Sequence, residues 1–208
     1  MAWSLLVEDD FESAVVGSVP PNWTPSTTNA VVGSTLQAHS GTKCVRGNVY
    51  GYHQIVHNNT TGLTNCKAAC WMYRGVGCRK RLITRYTDAQ NFYCLWEQGG
   101  AYFRIYKMVG GVFTLLGSAT PSPEPTLNAW HFCEFENVGT LLTARMYDAE
   151  GGSLLASIEV TDGDLASGYA GVGGFYGNDE SNTDELFDDF KCYIPSTGQF
   201  MSPMTKYW

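Results

Sequence analysis

An all-β fold, two antiparallel sheets packed face to face, is what this sequence predicts, and three observations carry the prediction. About thirteen short runs of alternating or apolar residues follow one another at close spacing, the pattern of a sandwich. No stretch sustains apolar residues at i, i+3, i+4 and i+7, as an amphipathic helix would; a single helical turn near Asp162–Ala166 is the most that fits. The two ends also echo each other. Leu5-Leu6-Val7-Glu8-Asp9-Asp10-Phe11-Glu12 opens the chain and Phe187-Asp188-Asp189-Phe190 nears its close. Two β runs with an Asp-Asp-Phe core are expected to lie together near the middle of the sandwich.

Composition agrees. With 208 residues, 44% hydrophobic and 13% aromatic, the chain can bury one large core and is not disordered. The net charge of −7 argues against nucleic acid as a partner, since phosphate binding needs a basic surface, and against attachment to anionic membranes. No run approaches the length of a membrane span. The N-terminus has neither a basic n-region nor a long apolar h-region, so no secretory signal is read there. Seven cysteines leave at least one thiol unpaired or intermolecular. Cys66, Cys70 and Cys78 lack the spacing of a zinc ribbon. Cys66, Ala68, Cys70 and Met72 alternate as small core side chains on one strand face, and a Cys44–Cys192 bridge is an expectation if the first and last strands are neighbours.

Taken in order, residues 4–12 form the first strand. Gly17–Asn29 is a loop in which Pro20, Pro21 and Pro25 forbid a central strand, and Trp23 is expected to plug one end of the core. Strands follow at 30–37, after the His39-Ser40-Gly41-Thr42-Lys43 turn, and at 52–56. A meander of 66–74, 79–87, 91–96, 101–108 and 112–118 comes next, with Gly pairs at its turns that supply positive φ. Pro121-Ser122-Pro123-Glu124-Pro125 is a rigid crossover, too short for a domain linker. Beyond it, 129–137, 140–148 and 153–160 are strands, then a Gly-rich strand from Gly168, an acidic loop and the last strand to Tyr193. The expected organisation is one sandwich over 1–193 and an extended tail over 194–208.

Several of these stretches resemble one superfamily. Trp130-His131-Phe132 opening a strand, Thr140–Tyr147 and its hairpin, Ile158-Glu159-Val160, Ser167–Gly174, Phe187-Asp188-Asp189-Phe190, and at the front Asp9-Asp10-Phe11 and His39–Lys43 are similar to the concanavalin A-like, laminin-G-like jelly roll. That resemblance implies a jelly-roll sandwich but does not choose among the lectins, carbohydrate-binding modules, glycoside hydrolases, polysaccharide lyases and adhesion domains that share it. It also implies a structural calcium where the first and last strands meet. Asp9 and Asp188, each on the strand face of a neighbouring phenylalanine, are the candidate ligands, with carbonyls of the His39–Gly41 turn completing the shell. The loop Asn178–Glu185 is a second acidic candidate without EF-hand spacing.

Catalysis finds no footing in the sequence. The Glu-x-Asp-x-x-Glu strand of laminarinase-like members is absent, and Glu134-Phe135-Glu136 supplies only two acids of a solvent-facing alternation. His53-Gln54-Ile55-Val56-His57 resembles the Gln-Ile-His of alginate lyases with one residue too many, and the Arg-x-Glu-x-x-Arg of that family is missing around Arg79-Lys80-Arg81 and Arg85. There is no nucleophile elbow and no phosphate loop.

Binding is better supported. Aromatics are dense from Trp71 to Tyr106, and aromatic faces stack on sugars and anchor partners. Tyr73, Tyr93, Tyr102 and Tyr106, with Arg85 and Gln98, are expected to form a carbohydrate-binding platform. The tail, with Phe200, Met201, Met204, Tyr207 and Trp208, is too apolar to hang free and is expected to pack on its own domain or on a neighbouring subunit. No signal, no catalytic motif, an acidic sandwich and an apolar tail together look like a phage virion protein: a capsid decoration, head-fibre or tail-associated protein that is non-catalytic, assembles with other structural subunits or copies of itself, and holds a surface glycan. The alternative is an extracellular carbohydrate-binding module or polysaccharide-active enzyme.

Overall fold

The computed structural model describes residues 1–26, 31–47, 51–75, 79–99, 102–176 and 185–196. Its strands, in chain order, are β1 (Trp3–Asp9), β2 (Trp23–Pro25), β3 (Val31–Ser34), β4 (Cys44–Gly47), β5 (Gly51–His57), β6 (Cys66–Tyr73), β7 (Arg79–Asp88), β8 (Asn91–Gln98), β9 (Tyr102–Val109), β10 (Val112–Ala119), β11 (Trp130–Val138), β12 (Leu141–Tyr147), β13 (Leu154–Thr161), β14 (Tyr169–Tyr176) and β15 (Leu186–Pro195). One short 3₁₀ turn, Asn58–Thr60, is the helical exception among the described residues; the expected turn near Asp162 is not helical.

Two antiparallel sheets result. One runs β13-β12-β11-β6-β15-β4-β3, with β1 also paired to β15; the other runs β10-β9-β8-β7-β14-β5-β2. The two Asp-Asp-Phe ends do meet, in a ladder from Trp3 opposite Pro195 to Asp9 opposite Phe190. The last strand therefore runs past Tyr193, and Ser196 N donates to Ala2 O at 2.9 Å. Residues 194 to 196 belong to the sheet edge rather than to a tail, because Pro195 sits at the strand terminus, where a missing N–H is tolerated.

Alternation decides what enters the core. Ala68, Cys70 and Met72 of β6 face Phe135, Cys133 and their neighbours between the sheets, while Ala69, Trp71 and Phe132 cluster on the outer side. Trp23 does plug the core. It is buried, with its ring 5.5 Å from Phe11, 5.0 Å from Phe190 and 5.1 Å from His57. Its strand, β2, pairs only with β5 at the end of the sheet, the one sheet position where Pro25 costs no ladder bond.

The cysteine bridge is corrected. The six described cysteines are free and buried. Cys44 packs with Tyr73 and Leu186 and donates its thiol to Leu36 O at 3.0 Å. Cys192 faces the core, hydrogen-bonded with Cys66, and burial with that neighbour pushes its pKa far up. Cys78 lies outside the described residues.

Candidate functional site

The outer face of the β10-to-β2 sheet is where chemistry-bearing side chains converge. Strand parity sends Lys80, Leu82 and Thr84 of β7 inward and Arg79, Arg81 and Ile83 outward. Across the ladder, Arg81 stands opposite Trp96 of β8, and Trp96 opposite Arg104 of β9. At the rim the same order reads Arg79, Gln98, Tyr102. This face is concave. In sheet order β5 and β10 are five strand spacings apart, roughly 24 Å along a flat sheet. The rings of Tyr52 on β5 and Phe113 on β10 nevertheless lie 5.5 Å apart, so the sheet curls around what it carries.

Arg81 sits at the bottom of that curl. Its guanidinium carbon is 4.5 Å from the Tyr52 ring centre, 4.6 Å from Trp96 and 5.2 Å from Phe113. The side chain has no exposed surface, and none of its three guanidinium nitrogens has a hydrogen-bond partner among the described residues. Burial pulls its pKa below the ordinary arginine value; the aromatic faces offset part of that desolvation. Beside it, Gly173 of β14 stands opposite Arg81 on one side and Gln54 on the other. A Cβ there would fall 2.4 Å from His53 O and 3.1 Å from Gln54 Cγ, so the position is held by glycine. Toward the hairpin of β9 and β10, Ile83, Phe92, Cys94 and Met108 fill the face with their own apolar cluster. At the open end, Tyr52 and Tyr102 are 46% and 47% exposed, and Arg104 lies 4.2 Å over the Tyr102 ring while donating to Tyr106 Oη at 3.3 Å.

The expected platform is thus brought together only in part. Gln98, Tyr102 and Tyr106 share the concave face. Tyr73 does not: it packs on the other sheet against Trp130. Tyr93 is wholly buried between the sheets and donates to Asp162 at 2.5 Å. Arg85, with φ of 48°, turns away to bind the carbonyls of Thr64, Leu165 and Gly139. Those three are corrected to structural roles. Tyr52, Arg81, Trp96 and Phe113 were not anticipated; the signal available was Arg79-x-Arg81 at period two. Phe200, Met201, Met204, Tyr207, Trp208 and residues 178–184 of the acidic loop lie outside the described residues.

Asp9 and Asp188 do not fit a shared calcium. The residue after Asp188, Asp189, has φ of 47° and opens a bulge, so Phe187 and Phe190 both enter the core and Asp188 lands opposite Trp71 on the outer face. Asp9 stands on the other side, its oxygens receiving Phe11 N at 2.8 Å and Trp23 Nε1 at 2.7 Å. The His39–Ser40 turn presents amides to Asp188, not carbonyls: His39 N at 2.8 Å and Ser40 N at 3.1 Å. Calcium wants six to eight oxygens, and these oxygens already face N–H donors. Among the described residues no cluster of three or more His, Cys, Asp or Glu is placed to hold a metal. A cleft of about 850 Å³ borders Asp9, Asp10, His57 and Asp189, but its carboxylates are likewise engaged, Asp10 by Glu12 N and Asp189 by Ser40 Oγ and His39 Nδ1.

Two buried groups set opposite pH dependences. Burial, with Asp189 nearby, pushes the Asp188 carboxyl from 3.8 up to about 7. The folded state then binds more protons than the unfolded one across that window, and stability falls as pH rises through it. Burial pulls His131 from 6.5 down to about 4. Here the unfolded state binds the extra proton, so its contribution is full above pH 6.5 and is lost as pH drops toward 4. In the intact protein the slopes oppose each other. Asp188→Asn should leave denaturant midpoints climbing with pH over this range, and His131→Gln should leave them falling; parallel curves in both variants would contradict the assignment.

No family model matches the sequence, and no curated protein matches it. Solved structures do match. The carbohydrate-binding module CBM66 from Bacillus subtilis superposes with a TM-score of 0.57 at 15% identity, over 81% of this chain and 91% of that one. The exoplasmic/lumenal domain of VIP36 in its Ca2+-bound form gives 0.60 at 15%, over 94% and 92%, and that domain has also been solved metal-free. The CBM2 module of the evolved Dit of Lactobacillus casei BL23 phage J-1 gives 0.56 at 12%, over 92% and 95%. At such identities the likeness is one of fold: the protein folds as a concanavalin A-like, two-sheet jelly-roll sandwich.

Proposed function

We propose that the protein is a non-catalytic glycan-binding module, serving in the attachment of a phage particle to its host surface. The observation that carries the reading is the curled face of the β10-to-β2 sheet, where exposed Tyr52 and Tyr102 flank Arg104 and Trp96. Flat aromatic surface beside fork-shaped donors is what a sugar's apolar face and hydroxyls require. Two structural neighbours named as carbohydrate-binding modules and the mannose-bound forms of the VIP36 domain support the glycan part, and the phage Dit module supports the phage part. The pairs Lys80–Glu97 and His53–Glu185 are buried in the fold's interior, closed to a substrate, which favours binding over a lyase or glycoside hydrolase. Localisation in the virion, and assembly with other subunits or copies through the segment after Ser196, complete the proposal.

Affinity electrophoresis on a panel of polysaccharides tests it. Retardation on at least one polymer is expected, and Tyr102→Ala should weaken it about tenfold, the effect of ~1.4 kcal/mol, with little change in melting. A chelator arm reads whether calcium takes part. The same protein, full length beside a chain ending at Ser196, reads assembly: a multimer lost on truncation supports it, a monomer in both removes it. No retardation on any polymer would sink the glycan reading.

A further inference from the structure

The buried guanidinium of Arg81 raises a question that a neutral sugar does not answer. A charged group without surface and without a hydrogen-bond partner is costly, and aromatic contacts return only part of that cost. Nor, among the described residues, does a protein carboxylate neutralise it. Glu185, a carboxylate whose field reaches Arg81, is bound to His53 Nε2 at 3.0 Å and to Phe175 N at 3.2 Å. Glu97, its neighbour across the ladder on the opposite face, pairs with Lys80 at 2.7 Å. Arg79 and Arg104 flank Arg81 on the same face, and none of the three is in an ion pair among the described residues. Arg79 lies 4.8 Å over Phe175 and Arg104 over Tyr102. In a chain of net charge −7, three arginines gathered on one concave face with no acid among them in the described residues are a local inversion of sign.

Building on the glycan reading, we infer that the ligand is an acidic saccharide, whose carboxylate or phosphate group enters between Tyr52 and Trp96 and takes the open hydrogen bonds of Arg81, while Arg79 and Arg104 hold the charge from the rim. Tyr52, the half-exposed ring of the cage, turns aside to admit it. Planar, bidentate recognition of an oxyanion is what an arginine fork provides and a lysine does not. An acidic sugar also meets the aromatic walls with its apolar ring face, so both halves of the site are used.

Titration calorimetry with oligogalacturonate, a phosphomannan and a neutral dextran decides it. Binding of the first or second, but not of dextran, is expected; which of the two binds separates carboxylate from phosphodiester. Arg104→Ala should weaken that binding about tenfold or more, as loss of one charged hydrogen bond does, and affinity should fall with added salt. Arg81→Met should abolish it while leaving the melting temperature unchanged or raised, because the variant removes an unsatisfied buried charge. Should Arg81→Met fail to fold, Arg79→Ala and Arg104→Ala carry the test. Dextran binding equal to that of the acidic polymers, or acidic binding indifferent to Arg104→Ala, overturns the acidic ligand yet keeps a glycan module. Silence toward all three, together with no retardation on any neutral polysaccharide, removes the glycan reading itself.

Discussion

Lys80→Met is expected to destabilise the fold by about 3–5 kcal/mol, the cost of stranding a buried charge. Lys80 and Glu97 form an ion pair of 2.7 Å, and neither has exposed surface. The pair lies between the sheets, close enough to His131 that Lys80 depresses and Glu97 raises the imidazole's proton affinity. Removing the ammonium leaves a carboxylate in a medium that solvates it poorly, so it must protonate or draw a proton onto His131. The loss should therefore shrink as pH falls. Lys80→Met combined with Glu97→Leu removes both charges and keeps much of the volume, and should recover most of the stability, since a well-packed apolar pair matches a buried ion pair or betters it. Denaturant midpoints of the two single variants and the double at two pH values measure this. A double variant no more stable than Lys80→Met would mean that the surroundings need the charges themselves.

Trp23→Ala should cost a comparable ~3–5 kcal/mol, as truncations of buried tryptophans do. Its indole touches Phe11, His57 and Phe190, which come from three separate parts of the chain. The strand that carries it has three residues and pairs only with β5, so little but the side chain holds that edge. Trp23→Phe separates the two contributions. It keeps a ring in the core but removes the N–H that Asp9 Oδ2 accepts at 2.7 Å. Asp9 retains Phe11 N on its other oxygen, and the loss should be about 1–2 kcal/mol. Equal losses for the two variants in thermal melts would put the weight on the hydrogen bond rather than on packing.

The sandwich was legible because alternation and Gly-rich turns are local. The pairing of the two ends was legible because Asp-Asp-Phe stands at both. What escaped depended on relations that no single strand carries. In Phe92-Tyr93-Cys94-Leu95 every side chain is buried, so alternation could not say that Tyr93 faces the interior and Phe92 the outer cluster. The bulge at Asp189 reversed the parity of Asp188, and a positive φ at an aspartate is not visible in composition. Arg79 and Arg81 did alternate, but Lys80 between them masks the period, since a buried lysine is read as exposed until its glutamate is found across the ladder. The curl that brings Tyr52 to Phe113 is a property of the whole sheet.

The ladder joining β1 to β15 also fixes how the molecule bears load. Trp3 and Pro195, the outermost rungs, sit opposite each other, and the rungs run inward to Asp9 and Phe190. A force drawing the two ends apart meets these hydrogen bonds singly, from the outside in, as a zip does, rather than all at once in shear. Pulled by its two ends, the domain should yield at low tension by peeling off its first strand. Anchored by its β1 end and loaded on its curled face, it carries the load through that same ladder.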